Sequence, residues 1–342
     1  PVDPLYTEED AEQVKPLLKS FNYDEPFEAA KGVVATFYDA GHILGSASIS
    51  LKMEEKNQKR HLWFSGDIGR RDMPILRDPI LPKEADILLM ESTYGDKPHN
   101  DPEQAYVEMR AIILRTLKRS GKVIIPSFAV GRTQELVYNL HRMSEDGDLP
   151  HVPVYVDSPL ATDITEVFEY HYDYLDEKTR QAIARGDSPF ALLNLKFIRD
   201  QNESKALNAD KRPMIIIAGS GMCESGRILH HLKNNIGDSR NTVLVVGYMA
   251  RDTLGKRIVE KQRFVPIFGA EYELNAQVVV INAFSGHADK NELLDFISGC
   301  LPLKSIYLVH GDQDQSQALQ DALLQKGLNA RMPLAGEEIV LN

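Results

Sequence analysis

The side chains best suited to chemistry stand just past the ends of apolar segments. They are His42, Asp67, Glu91, His287 and His310, and each lies in a run of small or polar residues. In α/β sheets, ligands bind beyond the carboxyl ends of the strands, so these loops predict one shared site. Imidazole and carboxylate together suit zinc, and a carboxylate has two oxygens with which to bridge two metal ions that activate water.

The spacing alone leaves two interpretations open. His42, Asp67 and His310 are only three ligands, whereas two tetrahedral zinc sites need more. The competing interpretation is a set of hydrogen-bonded loop residues. A lone histidine is more often structural or exposed. Six further histidines are interpreted in that way: His61, His141, His151, His171, His230 and His231.

The elements that must position these loops alternate along the chain. Short apolar runs end in polar or glycine-rich loops, and helices follow several of them. One helix is predicted to begin at Asp101-Pro102, with Asp as the N-cap and Pro at the first helical position, and to end at Gly121. Residues 291–297 and 315–324 predict two more. Such alternation is typical of an α/β protein with buried strands.

Composition and charge narrow the class of protein. The chain has 342 residues, 43% hydrophobic and 26% charged, which suffices for two ordinary globular domains. Its sequence offers no long apolar run for a membrane span, and Cys223 and Cys300 cannot form a disulfide framework, so we expect a cytoplasmic protein. The net charge of -11 argues against an open basic surface. Any nucleic-acid contact is therefore expected in a cleft.

A set of motifs in fixed order carries a family resemblance. They are DAGHILGS (39–46), SGDIG (65–69), ESTYGD (91–96), PSFAVGR (126–132), SGM (220–222), FSGHAD (284–289) and HG (310–311). Together they resemble the β-CASP branch of the metallo-β-lactamase superfamily, which includes bacterial and archaeal RNA exonucleases and the endonuclease of mRNA 3′-end cleavage.

The resemblance implies a fold and a division of the chain. The implied fold is an α/β metallo-β-lactamase αββα sandwich, incomplete at its N-terminal side, with an inserted α/β β-CASP domain. Residues 1–100 would form the first part of the lactamase domain, 101–259 the β-CASP domain, and 260–342 the C-terminal part of the lactamase domain.

The resemblance also assigns roles to the five side chains. His42, Asp67 and His310 match metal ligands, with Asp67 bridging two zinc ions and serving catalysis. Glu91 and His287 match signature positions, and we interpret His287 as a general acid that Glu91 orients. The position of His310 is usually His in members that act on RNA and Val in members that act on DNA, so it points to RNA.

One expected motif has no counterpart in this sequence. The family's His-x-His-x-Asp-His run normally precedes all the motifs quoted above, and no such run occurs. We therefore expect a truncated chain, lacking on the order of 100 N-terminal residues by the size of a typical domain portion. With three ligands, this chain is expected to bind zinc weakly or not at all, and to have reduced or no activity.

A second group of residues is predicted to contact substrate phosphates. Glycine-rich loops offer backbone N–H groups, and arginine binds phosphate with two parallel hydrogen bonds. The predicted substrate-binding residues are Ser127, Arg132, Ser220, Gly221, Arg227 and Ser285. The alternative for the two arginines is a helix-surface pair, Arg132 with Glu135 and Arg227 with Glu224.

The function that these observations predict is zinc-dependent hydrolysis of single-stranded RNA by metal-activated water. Two alternatives belong to other classes: a metal-free RNA-binding scaffold subunit, and a small-molecule hydrolase of the wider superfamily, which the signature loops of the insertion disfavour. The sequence does not distinguish endonuclease from exonuclease action. It leaves the oligomeric state open, with a homodimer as one compatible assembly.

Overall fold

A computed structural model describes residues 4–281 and 284–340. Its strands, in chain order, are β1 (Phe27–Ala30), β2 (Val33–Asp39), β3 (Ala47–Glu55), β4 (Gln58–Phe64), β5 (Ile87–Glu91), β6 (Val123–Pro126), β7 (Val154–Asp157), β8 (Leu195–Phe197), β9 (Ile215–Ala218), β10 (Thr242–Val246), β11 (Phe264–Ile267), β12 (Ala270–Glu273), β13 (Gln277–Ile281), β14 (Ser305–Val309) and β15 (Ala330–Arg331).

Its helices are α1 (Glu8–Val14), α2 (Pro102–Lys118), α3 (Arg132–Glu145), α4 (Pro159–Tyr170), α5 (Glu177–Ala184), α6 (Gln201–Ala209), α7 (Arg227–Asn235), α8 (Leu254–Val259), α9 (Lys290–Gly299) and α10 (Gln313–Gln325). Strands and helices alternate, so the α/β class is confirmed. None of the helices in the described ranges is both long and apolar enough to cross a membrane.

The first sheet has seven strands in the order β1-β2-β3-β4-β5-β14-β15. Strands β1 to β4 form an antiparallel meander, and β4, β5, β14 and β15 run parallel to one another. Because β2 and β4 are each antiparallel to β3, the carboxyl ends of β2, β4, β5 and β14 reach the same edge. The loops that follow these four strands therefore meet there.

The second sheet has six parallel strands in the order β13-β10-β6-β9-β7-β8. Its central strands are apolar on both faces, as parallel strands covered by helices usually are. Along β6, Val123 and Ile125 pack against α2 and α3, whereas Ile124 packs against α7 and α8. Each fully buried side chain of this kind stabilises the fold by about 1.5–3 kcal/mol.

The chain enters the second sheet after β5 and returns to the first sheet at β14. The inserted domain is thus a second layer with its own core. Strand β13 pairs with β10, so this layer extends to Ile281. The division expected between residues 259 and 260 therefore does not coincide with a change of sheet, because β13 follows it but pairs within the second sheet.

The predicted start of α2 is confirmed by its cap. Asp101 accepts a hydrogen bond from the backbone N–H of Glu103, and Pro102 opens α2. The helices predicted over 291–297 and 315–324 correspond to α9 and α10. Helix α9 begins with a capping box between Asp289 and Glu292, which holds the loop before it against the helix.

Candidate active site

The loops at the carboxyl edge of the first sheet are bonded through their backbones to one another and to the loop after β13. The N–H of Gly69 donates to the carbonyl of Ala40 at 2.7 Å, and the N–H of Ala288 donates to Ile68 at 2.7 Å. A Cβ at Gly69 would lie 1.9 Å from the carbonyl oxygen of Gly41, so only glycine permits this approach. These contacts hold the loops that carry His42, Asp67 and His287 in one place.

Asp67 lies between two histidines, and each of its oxygens faces a different ring. Its Oδ2 is 3.8 Å from Nε2 of His42, and its Oδ1 is 3.4 Å from Nδ1 of His310. His42 donates from Nδ1 to the carbonyl of Gly286 at 3.0 Å, so its Nε2 carries the lone pair toward Asp67. Burial, and then the charge of nearby His287, lower the pKa of His42 and favour the neutral ring that ligates metals.

This arrangement fits a metal site of the zinc type. Neutral imidazole and carboxylate are zinc ligands, and the carbonyl partner of His42 is the kind of outer contact that orients a ligating ring. One ligand atom each from His42, Asp67 and His287 lie within 4.8 Å of one another. His310 approaches Asp67 from the other oxygen. Each oxygen of Asp67 thus faces a different imidazole nitrogen.

Glu91 and His287 form a buried pair beside these ligands. Glu91, the last residue of β5, is only 1% exposed, and both its oxygens lie 3.1 Å from Nδ1 of His287. Glu91 also accepts the backbone N–H of Ile68 at 2.6 Å. Burial alone would raise the pKa of Glu91, but the hydrogen bond and charge of His287 outweigh burial and lower it. Burial would likewise lower the pKa of His287, and Glu91 instead raises it.

His99 is a site residue that the sequence did not single out. Its Nε2 lies 3.2 Å from the carbonyl of His287, and its backbone N–H donates to Asp289 at 2.8 Å. Its ring packs edge-on against Tyr94, 4.4 Å between centroids. Burial, followed by the charge of Arg70, lowers the pKa of His99 to about 4. Its position eight residues past β5, outside any strand-end pattern, gave no signal beyond the residue type.

A cavity of about 570 Å³ opens from the metal-ligand cluster toward the second sheet. Of the predicted substrate-binding residues, Arg132 and Ser285 line it together with His42 and His287. Arg132 also pairs with Glu135 one helical turn away, which is the alternative that its sequence position allowed. At the cavity, Tyr248 donates to Asp312 at 3.0 Å and bonds the β-CASP layer to the first sheet.

Three other predicted substrate-binding residues have contacts within their own loops. Ser127 is buried, and its hydroxyl bonds to that of Thr133 at 3.0 Å, so it closes the turn before α3 and does not line the cavity. The hydroxyl of Ser220 accepts the backbone N–H groups of Glu224 and Ser225. Gly221 is buried beneath the ring of Phe128, where a Cβ would approach within 2.6 Å. The hydroxyls of Ser127 and Ser220 thus have partners within their own loops, whereas Gly221 offers only its backbone. The phosphate contacts expected of these three residues stay a prediction.

Arg227 forms an ion pair with a buried carboxylate. Its guanidinium donates to Oδ1 of Asp157 at 2.5 Å and to the carbonyls of Ile198 and Arg199. The partner of Arg227 is therefore Asp157 and not Glu224, which was the alternative considered from the sequence. The other oxygen of Asp157 bonds to His231 at 2.6 Å. The prediction that Arg227 contacts phosphate is not supported by this geometry, since its donors face protein acceptors.

Comparison with known proteins agrees with this architecture. Residues 133–258 match the family model of the Beta-Casp domain, and residues 271–333 match that of the Zn-dependent metallo-hydrolase RNA specificity domain. The chain is 37% identical over 98% of its length to a ribonuclease of Thermus thermophilus, of which it covers 76%. It is 33% identical over 91% of its length to an RNase J-like protein of Methanocaldococcus jannaschii, covering 71% of that protein.

More distant relatives extend the family to other settings. The transcription termination factor FttA of Thermococcus kodakarensis is 31% identical over 97% of this chain, which spans 52% of that protein. Cleavage and polyadenylation specificity factor 73 of Drosophila melanogaster is 29% identical over 93% of the chain, which spans 45% of it. The sequence motifs, the inserted parallel sheet and both family models agree. The chain belongs to the β-CASP family of the metallo-β-lactamase superfamily.

Proposed function

We propose that this protein is a zinc-dependent ribonuclease that hydrolyses single-stranded RNA in the cytoplasm, with two zinc ions in the active enzyme. The observation that carries the proposal is Asp67, whose two oxygens face separate histidines beside the buried Glu91–His287 pair. A carboxylate between two nitrogen donors suits a pair of metal ions. A carboxylate behind a histidine suits proton transfer.

The chain's own residues divide the chemistry among them. His42, Asp67 and His310 would hold the metal, with further ligands completing its coordination. When bound, zinc supplies Lewis-acid activation of water and stabilises the charge that develops on a phosphoryl group. Glu91 fixes the tautomer of His287 by accepting from Nδ1, so Nε2 is the atom that carries the transferable proton.

The raised pKa of His287 keeps Nε2 protonated at higher pH than an ordinary imidazole. From Nε2 the proton would pass to the 3′-oxygen that leaves when the phosphodiester bond is broken. The carboxylate of Glu91 stabilises the imidazolium before transfer and orients the ring throughout.

RNA is the substrate that the similar proteins favour, and the charge of the chain restricts where it can bind. The net charge of -11 repels nucleic acid at long range, so binding depends on the cavity beside His42 and His287. Two relatives are a ribonuclease and an RNase J-like protein, and residues 271–333 match an RNA specificity domain. We expect a duplex to be too wide for a cleft between two layers, which favours single strands.

The test measures cleavage of labelled single-stranded and duplex RNA by the full-length protein with added Zn²⁺, and again with EDTA. We expect metal-dependent cleavage of the single strand, and an affinity that falls gently with salt, by about 0.7 log units per log unit for each phosphate contact. The variant Asp67→Asn should lose cleavage. Its matched control is Asp295→Asn, which changes an exposed carboxylate on α9 and should leave cleavage unchanged. RNA binding that needs no metal and is not followed by cleavage would favour the scaffold alternative. The absence of both binding and cleavage would refute the proposal.

A further inference from the structure

Phe128 is exposed in an unusual place for a large apolar side chain. It follows β6 in the loop before α3, it is 49% exposed, and it lines the same cavity as His42 and His287. A phenylalanine left open to water gives up the free energy that burial would provide. Within a concave site, such a side chain is typical of a surface that a ligand covers.

The backbone of Phe128 is held firmly. Its carbonyl accepts from the hydroxyl of Thr133 at 2.7 Å, from the backbone N–H of Thr133 at 3.3 Å and from the hydroxyl of Ser127 at 3.2 Å. The buried positions of Ser127 and Thr133 keep these donors away from water. The position of the Phe128 backbone is therefore set by the loop itself.

One face of the ring is covered by a glycine. A Cβ built on Gly221 would lie 2.6 Å from Cδ2, 2.7 Å from Cε2 and 2.9 Å from Cγ of Phe128. An atom in the plane of the ring at this distance from Cδ2 would lie much farther from its two bonded neighbours. Gly221 therefore sits over the face of the ring. Its lack of a side chain is what lets the ring lie flat against it.

The other face of the ring supplies the exposed area. The remaining lining of the cavity is largely apolar and includes Ile43, Val130 and Met222. Arg132, one of its cationic side chains, is paired with Glu135. With a chain of net charge -11, attraction for phosphates is limited, so uncharged parts of a nucleotide must contribute to binding.

We propose that Phe128, backed by Gly221, forms a stacking platform for one unpaired nucleobase of the RNA. The inference rests on the ribonuclease function proposed above and names a contact within that site. Aromatic stacking accepts every base, because each has a π face, and a base inside a duplex is already stacked on its neighbours. The platform thus gives affinity for single strands without a preference for sequence.

The experiment compares Phe128→Leu, Phe128→Tyr and the wild type, each as the full-length protein with Zn²⁺ present, in cleavage kinetics and in RNA binding by fluorescence anisotropy. Leucine keeps most of the volume but has no π face. We expect Phe128→Leu to raise KM and Kd about 5- to 150-fold with kcat within about twofold, and Phe128→Tyr to behave like wild type.

Two further variants make the test specific. Phe264→Leu is the matched control, because Phe264 is also 49% exposed but lies on β11 and does not line the cavity. It should leave KM and Kd unchanged. Gly221→Ala should raise KM as Phe128→Leu does, because its Cβ displaces the ring. Combining the two changes should then add little, since both remove one contact.

An RNA series with a single abasic nucleotide at successive positions tests stacking directly. In wild type the affinity should fall at one position, and in Phe128→Leu that positional loss should disappear. If the wild type cleaves RNA but Phe128→Leu matches Phe264→Leu in KM and Kd, the platform is wrong while the proposed function stands. If the wild type neither binds nor cleaves RNA, both are wrong.

Discussion

The change Arg227→Ala removes the cation from a carboxylate that is 0% exposed. Arg227 itself is 20% exposed at its side chain, and it donates to Asp157 and to the carbonyls of Ile198 and Arg199. Removing one partner of a buried ion pair costs about 3–5 kcal/mol, because the remaining charge keeps its desolvation penalty. We expect a loss of that size in the free energy of unfolding.

Urea denaturation followed by circular dichroism measures this loss. Arg227→Lys should lose less stability than Arg227→Ala, because lysine keeps the positive charge. It should still be less stable than the wild type, because lysine lacks the planar guanidinium that reaches three acceptors. Arg240→Ala is the matched control, since Arg240 pairs with Asp238 at the surface and should change stability little.

The pH dependence of stability provides a second, independent test of the Arg227–Asp157 pair. Burial would raise the pKa of Asp157, but the hydrogen bonds from His231, Ser204 and Arg227 outweigh burial and lower it. A carboxyl whose folded pKa lies below its unfolded value of about 3.9 stabilises the fold above that pH. The contribution is lost as the pH falls through the folded pKa. In Arg227→Ala this loss should begin at a higher pH.

RNA binding decides between this structural role and a phosphate contact. A lost phosphate contact would reduce the slope of log affinity against log salt by about 0.7, with stability unchanged. The buried pair instead predicts an unchanged slope in whatever fraction remains folded. A reduced slope together with wild-type stability would therefore refute the reasoning from Asp157.

Three further predictions, for the full-length protein, address the site. His287→Ala should lower kcat by about 10²–10⁴-fold while zinc content, measured by atomic absorption, stays constant; loss of zinc would mean that His287 is a ligand. Glu91→Gln should move the alkaline fall of the rate–pH profile to lower pH, because the charge that raises the pKa of His287 is gone; an unmoved profile would argue against His287 as the acid. Asp67→Asn should weaken zinc binding more than His310→Val, since Asp67 faces both His42 and His310; equal weakening would count against bridging.

Local patterns predicted the elements and the residues at their ends. The N-cap Asp101 and Pro102 specify the start of α2 within a few residues, so that start depends on no distant contact. The strand-end positions of His42, Asp67 and Glu91 were likewise readable, because a strand's direction decides which edge its last residue reaches. The resemblance supplied what spacing could not, namely which of these side chains match metal ligands and which match the acid and its partner.

Partners distant in sequence were not predictable in this way. Arg227 begins α7 directly after a glycine-containing loop that resembles a phosphate site, yet its partner Asp157 lies on β7, and no local pattern joins them. Strand β13 reads as an ordinary apolar run, and only its register with β10 assigns it to the second sheet. His99 was missed because its role comes from contacts with Tyr94 and the loop of His287.

The side chains of the site come together only when β5 pairs with β14. Glu91 and Val309 are register partners, although the second sheet lies between them in the chain. Joining the ends of a long unfolded segment costs entropy, whereas a folded second sheet brings both ends together in advance. During synthesis, Asp67 and Glu91 emerge long before His287 and His310. A nascent or half-folded chain therefore lacks the assembled set of side chains, and hydrolytic competence arrives only with completion of the fold.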